Sequence, residues 1–207
     1  MLITAKTKIS QLIKYNKKSI DIIASINPHF RKLKNPVLRK LLAPRVNITD
    51  AARIGGITVD EFLQKLQKIC NDNNVVLIFD EIYAGWYKTG NRFNFMGHDV
   101  IPDILTMSKS LGGGKSSISA YVSRESILKK AYGNLQDATL HSTTYNGFGE
   151  ECITAIEAIN IMEEENYKEK SLRIEKTVKL RCKILVEKFN NEIMECRGSG
   201  ALHGIFI

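Results

Sequence analysis

The chain has 207 residues, of which 43% are hydrophobic and 25% are charged, and its formal net charge is +8. This length and composition allow a buried core and one or two domains, and they exclude a disordered chain. The apolar runs are too short to span a bilayer and Met1–Lys6 lacks a signal-peptide pattern, so we expect a cytoplasmic protein outside the membrane.

The positive charge is concentrated in the first third of the chain. Residues 1–70 contain 14 Lys and Arg against 4 Asp and Glu, whereas residues 71–207 contain 16 against 18. Such asymmetry can mark a basic module that binds an acidic partner or nucleic acid, but a lysine-rich surface without a partner is the commoner cause of this pattern. The cysteines are far apart and form no Cys-x-x-Cys, so we predict reduced thiols and no metal site: Cys70, Cys152, Cys182 and Cys196.

Residues 1–70 are predicted to form short helices. Apolar stripes at Ile9, Leu12 and Ile13, and again over Ile20–Ile26, indicate the first two. Asn35-Pro36 favours a helix start, and Gly55-Gly56 ends a fourth helix. Thr58-x-x-Glu61 has the form of a capping box and predicts a fifth helix.

The basic module carries a resemblance of its own. The stretch from Ile26 to Lys40, together with Ala51–Ile57, resembles the small helical domain of unknown function DUF1858 over residues 2–68. Some related domains carry a redox Cys-x-x-Cys that this chain lacks, so the resemblance implies a fold and leaves the activity open. We interpret His29 as a packing or surface residue.

A different architecture is predicted after the polar tract Asn71–Asn74. Val75–Phe79 is apolar without alternation, which is typical of a parallel strand covered on both faces. Further strands are predicted at Ile104–Met107 and Ile118–Val122, followed by helices at Glu150–Glu164 and Tyr167–Asn190. The turn Arg197–Gly200 leads into an apolar run, Ala201–Ile207. Because the chain stops inside that run, we expect a fragment.

One interpretation of the motifs is a nucleotide hydrolase. Asp80-Glu81 ends an apolar strand, and Gly114-Lys115-Ser116 looks like the end of a phosphate loop. That loop needs a glycine where this chain has Lys109, and it ordinarily precedes the acidic strand. Both observations speak against this interpretation.

The chemistry of a lysine paired with a carboxylate provides another interpretation. A lysine can form a Schiff base with an aldehyde cofactor, and a carboxylate can keep a pyridine nitrogen protonated. Asp80 and Lys109 suit these roles, since both are expected at the carboxyl ends of strands, where open parallel sheets bind ligands. Gly112–Gly114 would let the backbone come close to such a ligand.

Four ordered motifs carry a resemblance to the class III aminotransferases of fold type I. They are Leu77–Gly90, Pro102–Gly114, His141–Gly147 and Arg197–Gly200. The resemblance implies an α/β fold, with part of a large domain whose mostly parallel sheet lies between helices. It also implies pyridoxal 5'-phosphate as cofactor, an amino donor and a 2-oxo acid as substrates, and a homodimer.

By this resemblance four residues belong to the site. Lys109 forms the Schiff base and moves the substrate's proton, and Asp80 pairs with the pyridinium nitrogen. Ile82 packs on the ring, although a core isoleucine would look the same in sequence. Thr144 contacts the cofactor phosphate across the dimer, although a threonine that caps the next helix would also fit. Glu81 is typical of the family but would also suit a strand end.

The chain departs from the family pattern in places. Tyr83 stands where many members have glutamine, and Asn146-Gly147-Phe148 replaces the usual Gly-Gly-Asn-Pro. The upstream segment that holds the phosphate and stacks on the ring is absent.

We therefore predict a basic helical module over residues 1–70 and a partial aminotransferase domain over residues 71–207, truncated at both ends. The predicted function is transamination with pyridoxal phosphate, with doubtful activity for this chain alone. The alternative is a non-enzymatic interaction protein whose basic module binds an acidic partner or nucleic acid.

Overall fold

A computed structural model describes residues 8–15, 17, 19–46, 48–190 and 192–207. The sequence prediction for Met1–Lys6 lies outside the described residues, as does the side chain of Leu12. The chain divides into two compact units: the first comprises residues up to Asp80 with His98–Ile104, and the second comprises Glu81–Gly97 with Leu105–Ile207. Among the described residues, no helix is long and apolar enough to cross a membrane.

The first unit begins with the predicted short helices. They are α1 (Ile9–Tyr15), α2 (Ser19–Ile26), a 3₁₀ helix (Pro28–Lys34), α3 (Pro36–Leu42), α4 (Ile48–Gly55) and α5 (Val59–Asp72). Their core is apolar and contains Ile9, Ile23, Phe30, Ala52 and Phe62, with Phe30 and Phe62 in edge-to-face contact at 6.4 Å. The helical prediction for this part is confirmed.

Side-chain caps explain where two of these helices begin. Asn35 Oδ1 accepts hydrogen bonds from the N–H groups of Val37 (2.9 Å) and Leu38 (3.3 Å) at the start of α3. At α5, Thr58 Oγ1 accepts from Glu61 N (3.1 Å) and Glu61 Oε2 accepts from Thr58 N (2.8 Å). Each cap satisfies backbone donors that the helix leaves without a partner, as the sequence predicted.

Helix α5 also contacts the later segment of the first unit. Gln64 Nε2 donates to Asp99 Oδ2 (3.4 Å), Gln67 Nε2 donates to Ile101 O (2.5 Å), and His98 Nδ1 pairs with Asp60. These contacts are polar and exposed, so the apolar core of the helical part does not depend on them.

A short sheet follows α5. Its strands β1 (Ile78–Asp80), β2 (Ile104–Met107) and β3 (Ala120–Ser123) lie in the order β1-β2-β3. Leu77 O accepts from Ile104 N (3.2 Å), and further along both segments Glu81 N donates to Thr106 O (3.0 Å). Because the hydrogen-bonded residues advance in the same direction along the two segments, from Leu77 to Glu81 and from Ile104 to Thr106, β1 and β2 are parallel.

Two strand predictions need correction. Val75 and Val76 precede β1 and are exposed, so the strand is shorter than the predicted Val75–Phe79 and is not covered over that whole run. The third strand begins at Ala120 rather than Ile118, and its first three residues are exposed. An apolar run signals a tendency to be buried, but the neighbours available decide how much of it pairs.

The second unit continues with helices and a hairpin. They are α6 (Glu125–Tyr132), α7 (Gly149–Glu164), α8 (Tyr167–Lys188), β4 (Glu195–Ser199) and β5 (Leu202–Phe206). Strands β4 and β5 are antiparallel, and Ser199 pairs with Leu202 across a tight turn in which Gly200 has a φ of +57°. Helix α6 was not predicted, and it contains no buried residue.

Candidate functional site

Glu81 organises the loop that follows β1. Its side chain is buried, Oε2 accepts from Asn94 N (2.6 Å), and Oε1 accepts from Phe95 N (2.8 Å). A buried carboxylate needs such donors because it has lost its water. Glu81 therefore holds the two ends of the loop together.

The loop between Glu81 and Asn94 has an unusual backbone. Trp86 and Tyr87 have φ values of +57° and +66°, in the left-handed region that non-glycine residues seldom adopt. Trp86 N donates to Arg92 O (2.5 Å), and the Trp86 ring contacts the Phe93 ring edge-to-face at 5.0 Å. These contacts fix the loop in a compact form.

A polar cluster connects this loop to α7. Tyr87 Oη donates to Glu163 Oε1 (2.6 Å), and the Arg92 guanidinium pairs with the same oxygen at 2.6 Å. Burial and the hydrogen bond to Glu163 raise the pKa of the Tyr87 phenol, so it stays neutral. The hydrogen bond that Arg92 donates to Tyr87 Oη is the main cause that raises the pKa of the Arg92 guanidinium. Sequence reasoning missed the cluster, because Glu163 is far along the chain from Tyr87 and Arg92.

Lys109 occupies a turn directly after β2. Ser108 Oγ donates to Ile118 O (3.0 Å), and Lys109 then opens a 3₁₀ helix, Lys109–Gly112, with a φ of +53°. A lysine in this conformation is strained, and such strain clusters at functional sites. Its Nζ lies 5.3 Å from the centroid of the Tyr83 ring, within the range of a cation–π contact.

Lys109 lines a cavity of about 860 Å³ within the second unit. Tyr83 and Trp86 from the loop, Gly113, Met162 of α7 and Ser171 of α8 also line it. The turn after Lys109 packs tightly against α7, since a Cβ on Gly113 would lie 2.9 Å from Ala158 Cβ. The cavity is large enough for a cofactor or a small-molecule ligand.

The other predicted site residues occupy different surroundings. Asp80 is the half-buried last residue of β1 in the first unit, and Ile82 is half-buried in the loop after Glu81. Thr144 is exposed, in a turn where Asn146 N donates to Thr143 O (3.1 Å). Ile82 and Thr144 do not line the cavity that contains Lys109. Their roles stay predictions.

The side chains that line the cavity can take part in amine chemistry and can bind an anion. Lys109 supplies a primary amine, which can react with a carbonyl group. Lys88, Lys170 and Ser110 also line the cavity and offer cationic and hydroxyl donors, although Lys170 pairs with Glu165. Among the described residues, no group of three or more His, Cys, Asp or Glu is placed to bind a metal.

Comparison with known proteins identifies two segments. The family described as aminotransferase class-III matches residues 54–207, and the domain of unknown function DUF1858 matches residues 3–63. Acetylornithine aminotransferase of Methanocaldococcus jannaschii is 38% identical over 153 residues, which make up 72% of this chain and 36% of that protein. Acetylornithine/succinyldiaminopimelate aminotransferase of Yersinia pestis is 38% identical over 110 residues, covering 52% of this chain and 26% of that protein.

A solved structure agrees with these matches. The crystal structure of acetylornithine aminotransferase from Elizabethkingia anophelis is 28% identical and superposes with a TM-score of 0.64. The match covers 73% of this chain and 36% of that one. The similarity confirms the predicted α/β fold, and the chain spans between 26% and 36% of the length of these relatives.

Proposed function

Because this chain belongs to the class III aminotransferases, we propose that it contributes the lysine-bearing part of a transaminase site that works with pyridoxal phosphate. Members of this family depend on that cofactor. We further propose that the reaction is the transfer of an amino group between an amine or amino acid and a 2-oxo acid. The observation that carries it is Lys109, held at a φ of +53° on the wall of a ligand-sized cavity.

The residues around the cavity suit this cofactor. Lys109 offers the amine that an aldehyde requires, and the ammonium groups of Lys88 and Lys170 can attract a phosphate. Gly114 has a φ of +75° and open space where a Cβ would stand, so the backbone there can approach a ligand closely.

Lys109 would hold the cofactor through Nζ and move the proton at the substrate's α-carbon. When bound, pyridoxal phosphate supplies an aldehyde that captures amines and a ring that withdraws electrons. The Tyr83 ring, whose centroid lies 5.3 Å from Nζ, contacts the Lys109 side chain and keeps it in the cavity. Tyr83 thus acts as a positioning residue.

Asp80, Ile82 and Thr144 complete the proposed site. Asp80 is proposed as the partner of the ring nitrogen because it stands in the motif Leu77–Gly90, which resembles that of the matching family. Ile82 would pack on the ring. Thr144 is exposed, which suits a contact with the cofactor phosphate of a second copy in a homodimer.

Mixing the purified chain with pyridoxal phosphate tests the role of Lys109. We expect a visible absorption band, and after borohydride reduction we expect peptide mass spectrometry to find the cofactor on Lys109. Lys109→Ala should lose both signals because no other lysine occupies this strained turn. The readout does not require turnover.

Lys115→Ala is the matched control, since Lys115 is exposed and follows the same glycine-rich turn. It should keep the band and the label. A label spread evenly over surface lysines, or a band that persists in Lys109→Ala, would refute the assignment of Lys109.

A further inference from the structure

Helix α3 exposes an apolar face. None of its residues is buried, and Val37 and Leu41 are 67% and 52% exposed. Leu38 and Leu42 are exposed beside them. With 3.6 residues per turn, these four side chains form two adjacent rows along one side of the helix. A soluble helix normally buries such a stripe, so an exposed one indicates a docking surface.

Basic side chains flank this apolar stripe. Arg39 and Lys40 lie on α3 at its two edges, since each is about 60° around the helix from the nearest apolar row. No acidic residue occurs between Asp21 and Asp50, and Arg45 follows the helix. The surface therefore has an apolar centre and a cationic rim, which we call the α3 face.

Helix α7 has an exposed face of opposite charge. Ile153 and Ile156 are 69% and 58% exposed, and Glu150, Glu157 and Glu164 are exposed around them. None of these three glutamates forms an ion pair within the part of the chain that the structure describes. The sequence contains no Lys or Arg between Lys130 and Lys168. We call this surface the α7 face.

We propose that the α3 face of one molecule docks on the α7 face of a second copy of this chain. Both faces have an apolar centre, so docking removes exposed leucine, valine and isoleucine side chains from water. Rows of side chains spaced four apart pack into the grooves of a facing helix. Arg39 and Lys40 would then lie against the glutamates of α7.

The same observations favour a protein helix over other anionic partners. Nucleic acid would use the cationic rim but would leave the four apolar side chains of α3 without a partner. A membrane surface is usually bound by longer amphipathic helices than the seven residues of α3. A complementary acidic and apolar helix is present in the chain itself.

The contact joins two different surfaces, so it is head-to-tail and can repeat from molecule to molecule. One pair of short helices buries less area than a stable dimer needs, and the association should be weak and concentration-dependent. It should also weaken with salt, because the charged rim remains accessible to ions. Neither Lys109 nor a cofactor takes part in the proposed contact.

Charge reversal tests the contact by sedimentation velocity over a range of protein concentrations. The wild-type chain should sediment above the monomer mass, and less so when NaCl is raised from about 0.05 to 0.5 M. Arg39→Glu/Lys40→Glu should raise the dissociation constant about tenfold or more, and so should Glu157→Lys/Glu164→Lys. Val37→Ser/Leu41→Ser should do the same without any change in charge.

The two charge-reversed variants should associate when mixed, because each then meets a partner of opposite sign. A chain that carries all four reversals should also associate with itself. Lys168→Glu/Lys176→Glu is the matched control: it makes two reversals of exposed lysines on α8 and should leave the association unchanged.

Two results would overturn the proposal. One is a monomer at every concentration tested, with circular dichroism showing a folded chain. The other is equal association of the wild type and both charge-reversed variants. Binding of the wild type to a DNA duplex or to phosphatidylserine vesicles through Arg39 and Lys40, without self-association, would assign the α3 face to that partner instead.

Discussion

Glycine and lysine share the same unusual backbone conformation in the turn after β2. Lys109, Gly113 and Gly114 all have positive φ values. Glycine adopts this conformation without strain, whereas an L-residue with a side chain does so at a cost of about 1 kcal/mol. The backbone strain of this turn therefore lies at Lys109, the residue proposed to carry the chemistry, and not at the glycines.

Two alanine substitutions separate strain from crowding at this turn. Gly114→Ala should destabilise the chain by about 1 kcal/mol, because its Cβ would meet nothing within 4 Å and only the conformation is penalised. Gly113→Ala should cost about 2 kcal/mol or more, since its Cβ would also press on Ala158 at 2.9 Å. Urea unfolding measures both, and equal losses would contradict the packing of this turn against α7.

At the scale of elements, local signals predicted the helices well and the strands less well. The caps of Asn35 and Thr58 lie within a few residues of the donors they satisfy, so the sequence contains the whole interaction. The extent of β1 depends on hydrogen bonds from the segment near Ile104, which sequence order does not reveal. Helix α6 has only eight residues and buries none of them, and it escaped prediction.

A carboxylate of helix α8 contacts the turn of the β4–β5 hairpin. Glu175 Oε2 accepts from Gly200 N (2.7 Å), and its other oxygen pairs with Lys179. The Lys179 ammonium, followed by the Gly200 N–H, lowers the pKa of Glu175 below its ordinary value. The stabilisation is therefore present above the ordinary glutamate range and is lost as the pH falls through the lowered pKa.

Glu175→Gln should thus destabilise the chain by about 1 to 2 kcal/mol near neutral pH, and this difference should shrink as the pH falls below about 4.5. Urea unfolding at several pH values measures it. Glu187→Gln is the control, because Glu187 is exposed and its nearest ammonium lies 4.0 Å away. A difference that persists unchanged in acid would show that charge is not the cause.

Across the whole molecule, the segment that is rich in positive charge also has an apolar core of its own. The apolar core of the helical part, from Ile9 to Phe62, draws only on the basic first third of the chain. Residues 98–101 add polar contacts to α5, and the buried Val100 among them is not part of that core. The boundary between residues 70 and 71 stays a prediction, and this distribution of contacts supports it.

Expression of residues 1–70 alone tests that boundary. The fragment should unfold cooperatively in urea because its core is intact, with a loss of about 1 to 2 kcal/mol from the missing contacts of Gln64 and Gln67. Circular dichroism should show helix content close to that of the same residues in the full chain. A fragment without a cooperative transition would place the boundary further along the chain.

The order of amino acids was enough to predict the helices of the basic module, the resemblance to an aminotransferase, and Asp80 and Lys109 as candidate residues. These features depend on residues close together in the chain or on motifs of fixed spacing. The folded arrangement was needed to show that Glu81 closes a loop, that Tyr87, Arg92 and Glu163 meet, and that α3 and α7 expose apolar faces. Burial and pairing depend on which distant segments meet, and no local pattern contains that information.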